Sequence, residues 1–326
     1  MNKNDTLLVA GAGGFIGGHL VKSLLDQGFA SIRAADIKPV AKWYQSFNGI
    51  DNRVLDLQQR SSCIAAAKGC RTIYNLACDM GGMGFIESNK ALCMLNSLIN
   101  THLLIAVREN QVQRYFFASS ACVYNVEKQQ GRQGAALKEA DAYRSLPEDG
   151  HGWEKLFGER MCRHFHEDFG LGVVVARLHN AYGPMGTYDG GREKAPAAIC
   201  RKVIAAKLSG NHTIEIWGDG EQTRSFMYID DCVKGINLLM DKSCPDPVNL
   251  GSSELVTINQ VVDTVEDIAQ IKLKRSYQPD APKGVNGRNS DNTKIEKLLG
   301  WQPNIRLRDG LEQTYRWIHT QMTRKH

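Results

Sequence analysis

Short apolar runs alternate with longer helical segments through the first half of the chain. Residues 6–10 (Thr-Leu-Leu-Val-Ala), 31–35, 53–57, 72–77, 115–119 and 171–177 are the runs, each of strand length. Between them, residues 19–25 carry helical periodicity, and about 84–109 and 151–168 read as longer helices. Strands spaced by helices predict an α/β fold built on a doubly wound, parallel, Rossmann-type sheet. Ligands in that architecture bind at the carboxyl ends of the strands.

Beyond residue 178 the loops lengthen and the strands shorten. A helix is expected from 195 with Pro196 near its start, a strand over 213–217 with its turn at 218–220, and helices over about 257–271, 292–299 and 307–322. Residues 1–178 are thus expected to form a dinucleotide-binding domain, to which 226–250 and the helix over about 257–271 return. The rest of 179–326 forms a smaller, interleaved α/β substrate domain over the crevice.

Composition narrows the function classes. With 326 residues, 42% hydrophobic and 23% charged, the chain has the makeup of an ordinary globular protein. The net charge of +5 is mild, and no run of like charge suggests a nucleic-acid arm. The polar start, Met1-Asn-Lys-Asn-Asp-Thr6, is unlike a secretory leader, and the longest apolar runs are too short to span a bilayer. Nine cysteines show neither a CxxC pair nor metal-ligand spacing, so no metal is expected and a reducing, cytoplasmic setting is.

The first strand feeds Gly11-Ala-Gly-Gly14-Phe15-Ile16-Gly17, and helical periodicity follows at once. Strand, glycine turn and helix in that order let the backbone approach a pyrophosphate at a helix N-terminus. The second strand ends in Asp36, a carboxylate able to accept the adenosine ribose hydroxyls and to repel a 2′-phosphate, which favours NAD over NADP. Asp56 and Leu57 close the third strand near the adenine, and Leu76 and Ala77 end the fourth beside the cofactor.

Three strand ends then converge on one crevice. They carry the glycine-rich loop 78–84, the segment Ser119-Ser120-Ala-Cys122-Val-Tyr124, and His179-Asn180-Ala-Tyr-Gly-Pro184. His151 and Lys155 stand four apart at the head of a helix and so share one face. Taken alone, that pair is more often exposed than catalytic.

Together these residues resemble the extended short-chain dehydrogenase/reductase family of sugar-nucleotide enzymes. More narrowly, Asp79-Met-Gly-Gly-Met-Gly-Phe85, Ser119-Ser-Ala-Cys122, Gly190-Gly-Arg-Glu-Lys194-Ala-Pro, Trp217-Gly-Asp-Gly-Glu-Gln222-Thr-Arg-Ser-Phe226 and Gly287-Arg288-Asn-Ser-Asp-Asn292 resemble the branch that inverts C3 and C5 of GDP-mannose. The resemblance implies tightly bound NAD, a transient 4-keto sugar, Ser120 and residue 151 at the C4 oxygen, and Lys155 on the nicotinamide ribose. It also implies Cys122 and Lys194 as an acid/base pair, and Gly81, Met83, Asn180, Glu193, Lys194, Lys202, Gln222 and Arg288 around a GDP-hexose. A homodimer through the two long helices is implied as well.

His151 departs from the family, which has Tyr at that position. A neutral imidazole accepts a proton near pH 7, so His151 is a candidate base; an impaired redox step and an introduced substitution are the other readings. Two further functions stay open at this point. One is a different 4-oxidising sugar-nucleotide epimerase or dehydratase, and the other is a redox-silent protein that only binds NAD and a sugar nucleotide.

Overall fold

The computed structural model describes residues 2–134, 136–242 and 244–324. Its centre is a seven-stranded sheet in the order Val248–Leu250, Gly172–Leu178, Arg114–Ser120, Thr72–Asn75, Leu7–Ala10, Ile32–Asp36, Asp51–Val54, and every pairing is parallel. Leu7 and Val9 face one hydrophobic cluster while Leu8 and Ala10 face another. Both faces are therefore covered, which explains why these strands read as continuous apolar runs. From Leu7–Ala10 the order runs outward in opposite directions, and the switch falls between that strand and Thr72–Asn75. A ligand crevice opens at such a point.

Boundaries differ from the expected ones in a few places. The helix expected over about 84–109 is two helices, Met83–Ser88 and Lys90–Glu109, broken at Asn89, whose φ of −132° lies outside the helical region. The third strand, Asp51–Val54, ends before Asp56 and Leu57, which lie in the loop beyond it. A second sheet joins Leu255–Thr257, Thr223–Ser225, Gly287–Ser290 and Ala136–Leu137. Ala136–Leu137 comes from the first half of the chain, whereas Val248–Leu250 lies on the edge of the large sheet, so the chain crosses between the two sheets in both directions. The helix Ile258–Ala269, expected to return to the first domain, packs instead on helices Ala195–Ser209 and Leu307–Thr323.

The helix His151–Phe169 lies close against the large sheet. A Cβ on Gly158 would come 2.5 Å from Phe117 Cζ, and one on Gly152 would come 2.3 Å from the Cys122 carbonyl oxygen. Buried Arg177 donates to both carboxylate oxygens of Glu159, at 2.9 and 2.7 Å, and Ser119 Oγ donates to the same group. Removing one partner of such a buried pair costs on the order of 3–5 kcal/mol. The pair locks this helix to strands Arg114–Ser120 and Gly172–Leu178 and so fixes where its first turn points.

Candidate active site

The glycine turn is built for close approach. Gly11 has φ of +84°, and a Cβ there would lie 2.8 Å from the backbone of Leu76 and Ala77; a Cβ on Gly17 would lie 2.1 Å from the Gly11 carbonyl oxygen. Gly14 precedes the twelve-residue helix Phe15–Asp26, whose first-turn N–H groups, those of Phe15 and Ile16 among them, suit a pyrophosphate. The Phe15 ring itself packs on Gly183 and Gly186. Asp36 ends the second strand and accepts the Lys38 N–H at 2.9 Å. The Lys38 ammonium is bound to the Gly13 carbonyl oxygen. Asp56 accepts the Gln58 N–H at 2.9 Å, which shapes its loop, and Leu57 is buried. These residues fit a dinucleotide along the crevice floor.

Ser120 ends the fifth strand and its Oγ accepts the Cys122 N–H at 3.2 Å, starting the 3-10 turn Ala121–Val123. His151, 1% exposed, begins the helix after Gly150, whose φ of +70° suits glycine. Glu154 Oε1 stands 3.2 Å from both His151 Nδ1 and Lys155 Nζ, and Cys78 Sγ lies 3.9 Å from it. Burial lowers the His151 pKa, and Glu154 partly offsets this. The Cys78 thiol is pushed up to about 12 by burial, so it stays protonated and neutral. Burial would also lower Lys155, yet its pKa is raised; with Cys78 neutral, the charge responsible is Glu154. Lys155 also lies over the Phe117 ring at 5.0 Å.

Cys122 is 5% exposed, and Arg288 Nη1 lies 3.8 Å from its sulfur. Lys194 enters from the second part of the chain, immediately before helix Ala195–Ser209. Burial lowers its pKa, and the ionisable groups that bear on it are Cys122, Cys232 and Cys78. The glycine-rich loop makes its placement possible. Gly82 N donates to Arg192 O at 3.1 Å, and a Cβ on Gly82 would come 2.5 Å from Glu193 O. Gly81 is equally tight, with Phe85 and Arg192 closing around its α-carbon. Lys194 also opposes the charged form of His151.

Most of the expected substrate contacts already have protein partners. Asn180 donates to Ser225 O at 3.0 Å, Gln222 to Trp217 O at 2.9 Å, and Lys202 to Glu215 O at 3.0 Å. Glu193 accepts from Arg201 at 3.1 Å and keeps its other oxygen buried and unpartnered. The Met83 side chain packs over Gly284. The Arg288 guanidinium is held by Glu148 and by Gln129 Oε1 at 2.7 Å, which aims the remaining Nη1 at Cys122.

Five neighbours of the candidate groups went unread in the sequence: Cys78, Gln129, Glu148, Glu154 and Arg224. Glu154 follows His151 by three residues on one helix and was open to detection by spacing. Arg224, which burial pulls down to about 10 and on which Cys122 bears, sits within the Gln222-Thr-Arg motif. Gln129 and Glu148 arrive by tertiary folding and leave no local signal, whereas Cys78 opens the glycine-rich loop 78–84.

This fold and crevice define an NAD-linked α/β enzyme. Residues 7–251 match the model of the NAD dependent epimerase/dehydratase family, and the chain belongs to that family. It is 42% identical over 325 residues to GDP-mannose 3,5-epimerase of Arabidopsis thaliana, covering 99% of this chain and 85% of that one. GDP-mannose 3,5-epimerase 1 of Oryza sativa subsp. japonica is 43% identical over 318 residues, covering 97% and 82%. In fold, the chain resembles UDP-glucose 4-epimerase of Thermotoga maritima with UDP-glucose, at a TM-score of 0.86 and 22% identity over 97% of this chain and 99% of that one. UDP-glucose 4-epimerase of Thermus thermophilus with NAD gives 0.83 and 20% over 96% and 98%.

Proposed function

We propose that this enzyme inverts C3 and C5 of GDP-mannose through a transient 4-keto sugar. The observation that supports the reading is that Cys122 lies against the first turn of helix His151–Phe169 while Lys194, from a distant part of the chain, interacts electrostatically with both Cys122 and His151. Gly11, Gly14, Gly17 and Asp36 would hold NAD, which when bound would supply a reversible hydride acceptor for C4.

His151 accepts the proton of the C4 hydroxyl, and Ser120 Oγ orients the same oxygen by a hydrogen bond. Burial keeps the imidazole neutral and therefore ready to accept. Lys155 holds the nicotinamide ribose. The ketone at C4 acidifies the hydrogens at C3 and C5, and Cys122 and Lys194 then act from opposite faces of the ring. One takes the carbon-bound proton, the other delivers a proton to the far side, and the centre inverts. Lys194 suits this work because burial has lowered its pKa, easing access to the neutral amine. Asn180, Glu193, Lys202 and Gln222, with Gly81 and Met83, are placed around the GDP-hexose, and Arg288 exchanges Glu148 for the diphosphate.

The enzyme works as a homodimer. Helices Lys90–Glu109 and His151–Phe169 lie side by side and leave Leu92, Leu95, Leu98, Trp153 and Phe157 exposed. Less than half of the apolar window of Lys90–Glu109 is buried within the chain. A second copy covers this face by symmetry. All nine cysteines are free, which suits the cytoplasm.

The test is incubation with GDP-mannose in heavy water. Deuterium at C3 or C5, with new stereoisomers, is expected. A sugar nucleotide recovered bound but unlabelled, with NAD in the protein, would sink the proposal.

A further inference from the structure

One carboxylate oxygen gathers the groups around His151. Glu154 Oε1 is 3.2 Å from His151 Nδ1, 3.2 Å from Lys155 Nζ and 3.9 Å from Cys78 Sγ. Glu154 and His151 are each 1% exposed, so water cannot stand in for a missing partner. Neither ring nitrogen of His151 has an aligned hydrogen bond, and a turn of the imidazole brings Nδ1–H onto Oε1 at the separation already present. Such contacts commonly tighten when substrate binds.

An imidazole base meets a difficulty that a phenol does not. It has two nitrogens, and the proton must sit on the one that faces away from the substrate. We propose that Glu154 is a positioning residue: it takes the Nδ1–H of His151, leaves Nε2 bare toward the cleft, and balances the imidazolium formed during oxidation. This inference rests on His151 being the base. In the step itself the C4 O–H bond breaks and an N–H bond forms at Nε2. The C4–H electron pair would pass as hydride to the nicotinamide of bound NAD, and Glu154 remains a carboxylate throughout.

The charges facing His151 agree with this. Glu154 favours the imidazolium, whereas Lys155 on the same helix and Lys194 ahead of Ala195–Ser209 oppose it. Cys78, from the loop after Thr72–Asn75, stays a neutral thiol. The donor atoms of Cys78, His151 and Glu154 lie within 4.8 Å of one another, a composition that also suits a divalent metal. The Lys155 ammonium already holds the shared oxygen, and this favours a proton site.

Nitrogen NMR of histidine-labelled protein reads the His151 tautomer without turnover. Nδ1–H is expected in the native chain, and Glu154→Ala loses that preference. Glu154→Gln keeps an acceptor but removes the charge, so it lowers the His151 pKa and slows hydride transfer about 100-fold. That rate is read from nicotinamide absorbance, and its acidic limb moves to lower pH with little change in KM. In a His151→Tyr background the cost of Glu154→Gln falls below about 10-fold, because a phenol has no tautomer to fix. An Nε2–H tautomer in the native chain, an unchanged pH profile in Glu154→Gln, or an equal cost beside Tyr overturns the inference. So does a native rate that a chelator abolishes and zinc restores. Hydride transfer that survives His151→Ala instead overturns the base reading and leaves the Glu154 contact standing.

Discussion

Gly82 and Glu193 meet so closely that a single methyl group on Gly82 would lie 2.5 Å from the Glu193 carbonyl oxygen. This contact seats the segment that delivers Lys194. Gly82→Ala is therefore expected to cost about 1–3 kcal/mol of stability and to lower turnover roughly 100-fold by displacing the amine. Thermal denaturation beside the heavy-water assay measures both. A variant with native turnover would show that Lys194 does not depend on this contact.

Oxidation and inversion should separate by mutation. Cys122→Ser and Lys194→Met are expected to retain transient nicotinamide reduction while deuterium exchange falls on the order of 10²–10⁴-fold. Rapid-mixing absorbance and mass spectra of the recovered sugar distinguish the two steps. Loss of both signals together in either variant would place that residue at C4 instead.

Acid should destabilise the fold through buried histidines. Burial holds His19, His151 and His179 below the ordinary 6.5, with His179 at about 4. Between those values the unfolded chain binds more protons than the folded one, so stability falls as pH falls through the window. His179 alone contributes about 3 kcal/mol of this change. Urea midpoints followed across the window measure the slope, and His179→Gln should flatten it.

If the exposed apolar face of helices Lys90–Glu109 and His151–Phe169 pairs with a second copy as proposed, Leu95→Glu and Phe157→Glu should yield monomers, since each puts a charge on that face. Sedimentation gives the outcome directly. A native chain that sediments as a monomer would refute the interface.

Asp36→Ala should weaken NAD binding by about 10- to 100-fold, the worth of a hydrogen bond to a charged group. It should also narrow the preference for NAD over NADP. Titration with both cofactors compares them, and an unchanged ratio would move the selectivity to other residues.

The glycine turn, Asp36, the strand ends and the Gly190-Gly-Arg-Glu-Lys194-Ala-Pro block were legible because each is a local pattern with its own backbone or spacing requirement. Spacing alone sets Glu154 beside His151 on one helix face, but its burial is decided only by the fold. The break at Asn89 falls in the polar run Glu87-Ser88-Asn89-Lys90, which can as well be the exposed face of one continuous helix.

Sequence by itself determined the parallel sheet, its crevice and the residue types offered there, since strand and helix periods and glycine conformations are decided within a few neighbours. Only tertiary structure decided that Arg288 turns toward Cys122, that Cys78 joins Glu154, and that Lys194 bears on His151. Those relations depend on burial and on charges brought together from separate segments, and neither exists until the chain has folded.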